Sequence, residues 1–245
     1  MLTDVLKFFG VRTPGEVAWA HGVNSRRTLA RYLAAPDIHF IEGDISWLPR
    51  AGGVMMAHPP AADSDLAFDP WIERVAAAGK GAKLDFKDPR VVEPCLAKLT
   101  EMRRAGGLPI PIVLNADVRS GPGGRAPLFD GRSFVSQCGA FTGAVLSLGY
   151  TTQHVPGGRY EEAMVRDMLR LGQPAIGRLT ICLRACFLSA SAAAIAHVFS
   201  TPDCWVTVWN GRRDPAVTLA EAQAITDPAR SFYDLIDADG RPIRA

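Results

Sequence analysis

Short apolar runs alternate with longer amphipathic stretches from one end of the chain to the other, and this alternation limits the fold more than any other feature. The runs are Val17–His21, Ile38–Ile45, Val54–His58, Ala82–Lys87, Ile110–Val118, Ala144–Tyr150, Leu179–Arg184 and Trp205–Asn210. Each has the length of a strand. The stretches between them carry helix signals. Asn24 or Ser25 can cap a segment through Ala34, and both Asp69-Pro70 and Asp88-Pro89 read as an N-cap with proline at the first helical position. Gly79, Gly106 and Gly172 stand where helices should stop, and further helices are expected over 130–141, 160–171, 189–199 and 218–225. Strand then helix, repeated, is the signature of βαβ units and a parallel sheet. Eight repeats predict an α/β fold closed into a (β/α)8 TIM barrel, with Phe232–Ile236 as a candidate ninth strand. A barrel of this type fills 245 residues as a single domain, 1–245.

Strands of a parallel barrel are buried on both faces and should read as nearly continuous apolar runs. Several here are broken by polar residues near their C-terminal ends. Side chains alternate along a strand with period two, so Glu42 and Asp44 share one face of their run. Lys83, Asp85 and Lys87 share a face of the next, with Leu84 and Phe86 on the other; Asn115 and Asp117 repeat the pattern, as do Trp205, Thr207 and Trp209. Repeated parity of this kind predicts a polar pocket in the mouth of the barrel, where the βα loops leave the interior open. Burying so many charges is costly unless they are paired or hold an ion.

Two of the five histidines, His21 and His58, end apolar runs on the first and third expected strands and flank the Glu42–Asp44 pair on the second. A single histidine there is more often merely hydrogen-bonded. Two of them, beside paired acids, point to acid–base catalysis, because imidazole titrates near neutrality. His39 has the parity opposite to Glu42 and should face the helix layer. Glu42, Asp44 and Asp85 can converge from the second and fourth expected strands, and all-oxygen ligation suits a hard cation, Mg²⁺ or Ca²⁺. The competing reading for Asp85 is simple neutralisation by Lys83 or Lys87. The glycine- and proline-rich segment Gly121–Pro127 lacks the lysine and hydroxyl spacing of a phosphate loop and reads as a flexible βα loop.

Composition closes off other classes. A formal net charge of +2 argues against nucleic acid as a partner, so an anionic substrate would have to be held locally. The five cysteines form no CxxC pair and sit in apolar runs, which fits reduced, structural thiols. The N-terminus lacks a basic region followed by a long apolar stretch, and no run approaches the ~18 apolar residues of a membrane span. The expectation is a soluble, cytoplasmic protein with no transmembrane segment.

Seven segments in order resemble the menorin-like domain family over nearly the whole chain. They are Ala20-His21-Gly22-Val23-Asn24-Ser25, Ile41-Glu42-Gly43-Asp44-Ile45, Met56-Ala57-His58-Pro59-Pro60, Lys83-Leu84-Asp85-Phe86-Lys87, Leu114-Asn115-Ala116-Asp117-Val118, Leu146 to Thr152, and Thr207-Val208-Trp209-Asn210-Gly211. That family resembles in turn a branch of the PLC-like phosphodiesterase barrels that includes glycerophosphodiester phosphodiesterases and spider-venom sphingomyelinase D. The resemblance implies that His21 and His58 match the catalytic histidines of those enzymes, and that Glu42 and Asp44 match their Glu-x-Asp metal pair. Asp85 and Lys87 match the Asp-x-Lys of the venom enzymes, and Trp209 matches a late-strand tryptophan near the substrate. The phosphodiesterases carry His-Arg-Gly where this chain has His21-Gly22-Val23, so an arginine that could hold phosphate is missing.

The function expected on this basis is metal-assisted cleavage of a phosphodiester of the glycerophosphodiester or lysophospholipid class. Glu42, Asp44 and Asp85 would hold the cation. His21 would be base or nucleophile and His58 acid, while Lys83, Lys87, Asn115, Asp117, Arg184 and Trp209 would bind the small-molecule or lipid-headgroup substrate. The alternative is a non-catalytic barrel that binds a phosphate-containing ligand or a protein partner. A zinc amidohydrolase barrel ranks last, because it needs a second histidine where this chain has Trp19.

Overall fold

In this computed structural model, which describes residues 2–243, the strands form one nine-stranded sheet. They are β1 (Trp19–Ala20), β2 (Phe40–Leu48), β3 (Gly53–Met56), β4 (Gly81–Phe86), β5 (Ile112–Ser120), β6 (Ala144–Thr151), β7 (Leu179–Arg184), β8 (Cys204–Trp209) and β9 (Ser231–Asp234). Eight of them run parallel in the order β1-β2-β4-β5-β6-β7-β8-β9 and curl into a nearly closed barrel. No backbone ladder joins β9 to β1 among the described residues, although the two strands lie side by side.

Two assignments change. The run at Val54 is not a barrel stave: β3 pairs antiparallel with the far end of β2, from Ile45↔Met56 to Leu48↔Gly53. The place of the eighth stave is taken by β9, the candidate ninth strand, which pairs parallel with β8. Length is the physical reason. Parallel neighbours need a crossover of about a dozen residues or more, and the link between β2 and β3 is a short turn, with Gly52 and Gly53 at φ of +102° and +113°.

The helices are α1 (Leu2–Phe9), α2 (Arg26–Leu33), α3 (Phe68–Ala77), α4 (Val92–Arg104), α5 (Gly131–Ala140), α6 (Glu162–Gly172), α7 (Ala192–Ser200) and α8 (Leu219–Ile225). Ser25 caps α2 by accepting from the Thr28 amide, Asp130 caps α5 through Ser133, and Thr218 with Glu221 forms a capping box on α8. Asp69 and Pro70 fall inside the first turn of α3, whose cap position is Ala67. Asp88 caps a 3₁₀ turn, 89–91, that leads into α4.

Outward-facing strand residues such as Leu84, Leu114, Leu146 and Ile181 form the main core with the helices. Inside the barrel, Trp19, Phe40, Val113, Val145, Trp205 and Phe232 make one apolar layer, closed from below by Leu2 and Val5 of α1. Above it the interior changes character. The inward-facing positions above this layer include Glu42, Lys83, Asn115, Ser147, Thr207 and Asp234, all buried. This polar storey positions the site. No helix is long and apolar enough to cross a membrane among the described residues.

Candidate functional site

The open end of the barrel holds a cavity of about 790 Å³. His21, Asp44, His58, Lys83, Asp85, Lys87, Asn115, Asp117 and Trp209 all line it, together with Cys182 and the loops at 123–128 and 151–153. Glu42 lies beneath it, fully buried. Nine of the eleven residues singled out in the sequence therefore share one cavity wall, and a tenth forms part of its floor.

The floor is an ionic network. Asp234 Oδ2 accepts from Lys83 Nζ at 3.0 Å and lies 3.0 Å from His21 Nδ1, while Glu42 Oε2 is 3.6 Å from the same ring nitrogen and accepts from the Gly22 amide at 2.6 Å. Burial works against a charged His21, but Glu42 and Asp234 overcome it and raise its pKa to about 10. Burial lifts the Glu42 carboxyl to about 7, against the pull of His21 and with a further push from Asp44. Burial opposes ionisation of Asp234 as well, yet His21 and Lys83 hold its pKa far below the usual carboxylate range. Asn24 fixes Asp44 from both sides: its amide donates to Oδ2 at 2.7 Å, and its carbonyl oxygen accepts from the Asp44 backbone at 2.8 Å.

A second cluster lies above. Lys87 Nζ is 2.8 Å from Asp85 Oδ2 and 3.2 Å from Asp44 Oδ1. Asn115 donates to Asp85 Oδ1 at 2.8 Å, and its own Oδ1 accepts from Ser147 at 2.6 Å. Asp117 enters the cavity beside these groups with its pKa pushed by burial up to about 7, against the effect of Lys87. The opposite position on β6 is Gly149, where a methyl group would overlap Asp117 Oδ1. The glycine makes room for the carboxylate.

One oxygen from each of Glu42, Asp44 and Asp85 lies within 4.8 Å of the others. Ligands of a shared Ca²⁺, each about 2.4 Å from it, can be no farther apart than roughly that. Glu42 Oε1 is buried without a hydrogen-bond partner, so one oxygen of the trio is unspent. The donor set and the orphaned oxygen fit a hard divalent cation.

Two expected residues sit differently. His58 follows β3 on the hairpin, not a stave end; its side chain is exposed on the rim and Nδ1 lies 2.6 Å from the Pro59 carbonyl. Arg184 does not line the cavity, because its guanidinium is spent behind the wall. Nε bonds Asp214 Oδ2 at 2.8 Å, Nη1 bonds the Thr152 carbonyl at 3.1 Å, and the group lies 5.2 Å from the centre of the Trp209 ring. His39 faces away from Glu42 as its parity requires, accepting from the Ala18 amide.

Asp234 and Asn24 were missed in the sequence. Phe232 and Asp234 show the same two-residue spacing as Phe40 and Glu42, which is the signal that could have found Asp234. Asn24 could be read as a cap for α2, and Ser25 takes that role instead.

The Menorin N-terminal domain model matches residues 15–239. The chain belongs to the menorin family. A human relative, protein FAM151B, is 29% identical to this menorin-family chain over 233 residues, covering 91% of it and 83% of its own length. Among solved structures, that of two fungal β-1,4-galactanases aligns with 89% of this chain and 83% of its own, at 11% identity and a TM-score of 0.48. That similarity is too loose to bear on chemistry.

Proposed function

We propose that this menorin-family barrel is a metal-dependent phosphodiesterase of the PLC-like type, acting on a small-molecule or lipid-headgroup phosphodiester. The observation that carries the reading is the convergence of Glu42, Asp44 and Asp85 to within 4.8 Å under a cavity lined by both His21 and His58. The resemblance to glycerophosphodiester phosphodiesterases and sphingomyelinase D supports it through the same residues. Glu42, Asp44 and Asp85 would hold Mg²⁺ or Ca²⁺, which when bound supplies charge stabilisation to a phosphoryl oxygen.

The chain's own groups do the remaining work. Asp234 orients His21 through Nδ1, which leaves Nε2 to exchange a proton with the attacking group. His58 lines the same cavity from the rim and would protonate the leaving oxygen. Lys83 and Lys87 supply positive charge to the cavity, and Asn115 is held in one orientation by Asp85 and Ser147. Trp209 offers an aromatic face at the mouth for the rest of the substrate.

The test is turnover of a panel of glycerophosphodiesters and lysophospholipids with added Mg²⁺ or Ca²⁺, alongside isothermal titration with each cation. Cation binding with turnover that is lost in His21→Ala supports the reading. Rates equal to wild type in both His21→Ala and His58→Ala would refute it. A second reading, a barrel that binds a phosphate-bearing ligand without turning it over, is favoured by Lys87, which already neutralises Asp44 and Asp85. Ligand binding with no turnover across the panel would select it.

A further inference from the structure

The two carboxylates that hold Lys87 are two of the three that would hold the cation. Lys87 Nζ lies 2.8 Å from Asp85 Oδ2 and 3.2 Å from Asp44 Oδ1, with the lysine head nearly buried. An ammonium and a divalent cation cannot share that position. At such separations two positive charges repel strongly in a partly dry site.

The cavity is crowded with acids: Glu42, Asp44 and Asp85 converge, with Asp117 beside them and Asp234 in the floor. Lys83 cannot give way to an arriving ion, because it is anchored on Asp234. Lys87 can. It stands at the end of β4, its four-carbon stem is flexible, and a second acceptor is within electrostatic reach in Asp117. Asp117 makes no side-chain hydrogen bond of its own among the described residues and has space beside Gly149.

We propose that Lys87 is an exchangeable counter-ion: it occupies the Asp44–Asp85 pair when no metal is bound, and an arriving divalent cation drives its ammonium toward Asp117 and the cavity, where it binds a phosphoryl oxygen. The inference rests on the metal-site reading above and adds a coupling to it. Anion binding is primed by the cation, because the same event that fills the carboxylate trio releases a positive group into the substrate space. Lys87 also keeps Asp44 and Asp85 paired when no cation is bound.

The experiment is isothermal titration of the full chain with MgCl₂ and with CaCl₂, followed by inorganic phosphate at saturating Mg²⁺, for wild type, Lys87→Met and Lys87→Arg. Circular dichroism confirms the fold of each. Removing the competitor should tighten cation binding at least tenfold in Lys87→Met and weaken phosphate binding at least tenfold. Lys87→Arg, which keeps the charge, should leave the cation no tighter than in wild type. General damage to the fold would weaken both ligands, so opposite signs from one substitution are diagnostic. Equal cation affinity in wild type and Lys87→Met overturns the exchange and leaves the metal site standing, and unchanged phosphate binding overturns it too. If no variant binds either cation, the exchange and the metal site fall together.

Discussion

His21 Nδ1 and Asp234 Oδ2 lie 3.0 Å apart, joining the first and last staves of the barrel across 213 positions of the chain. The bond spans the seam that no backbone ladder closes. It therefore has two duties, orienting a candidate catalytic ring and holding the cylinder shut.

Asp234→Asn should reveal both. Asp234 is fully buried and neutralises His21 and Lys83, so its loss leaves buried cations without their counter-charge. Breaking a buried pair in this way costs about 3–5 kcal/mol, which urea unfolding would register. The sign of the pH dependence follows from the depressed pKa of Asp234. Its contribution is complete above the unfolded-state value near 3.9 and drains away as pH falls through the folded one, so wild type and variant should converge in stability in strong acid.

His58→Ala should separate chemistry from stability. The ring is exposed and its Nδ1 lies 2.6 Å from the neighbouring Pro59 carbonyl, so unfolding free energy should stay within about 0.5 kcal/mol of wild type. Turnover should fall by roughly 10²–10⁴, the usual worth of a general acid. Retained turnover would remove His58 from the site.

Gly149→Ala forces a methyl group onto Asp117 Oδ1. Overpacking at such a contact costs about 1–3 kcal/mol. Shortening the partner should relieve it, so the double variant Gly149→Ala with Asp117→Ala should be more stable than the sum of the two single effects allows. A double-mutant cycle by chemical denaturation measures this coupling.

Arg184→Gln should act on binding more than on the chemical step. Arg184 ties the Thr152 carbonyl to Asp214 behind Trp209 and supports two lining residues without lining the cavity itself. Loosening that wall should raise KM several-fold with a smaller effect on kcat. Steady-state kinetics on whichever phosphodiester is turned over would show the split, and a fall in kcat alone would place Arg184 in the chemistry.

The parts of this site that can be read from sequence are those that strand parity governs. Glu42 with Asp44, and Lys83 with Asp85 and Lys87, announce a shared face because a strand alternates with period two, and no tertiary knowledge is needed. Asp234 obeys the same rule, but its short run is only a ninth candidate beside eight that already account for a full barrel. The partner of Arg184 was invisible for a different reason. Asp214 comes from a loop, where no periodicity fixes direction. The hairpin could have been anticipated, since too few residues separate the second and third runs for a parallel crossover.

That hairpin leaves His58 riding on a ribbon that branches from the barrel instead of forming one of its hoops. The root of the ribbon is anchored, because the Ala57 amide donates to the Asp44 carbonyl oxygen and Met56 is buried in the core. Beyond Ala57 the chain runs exposed along the rim over 58–61, so changes of length there would relocate His58 while leaving the strand that carries Glu42 and Asp44 in place.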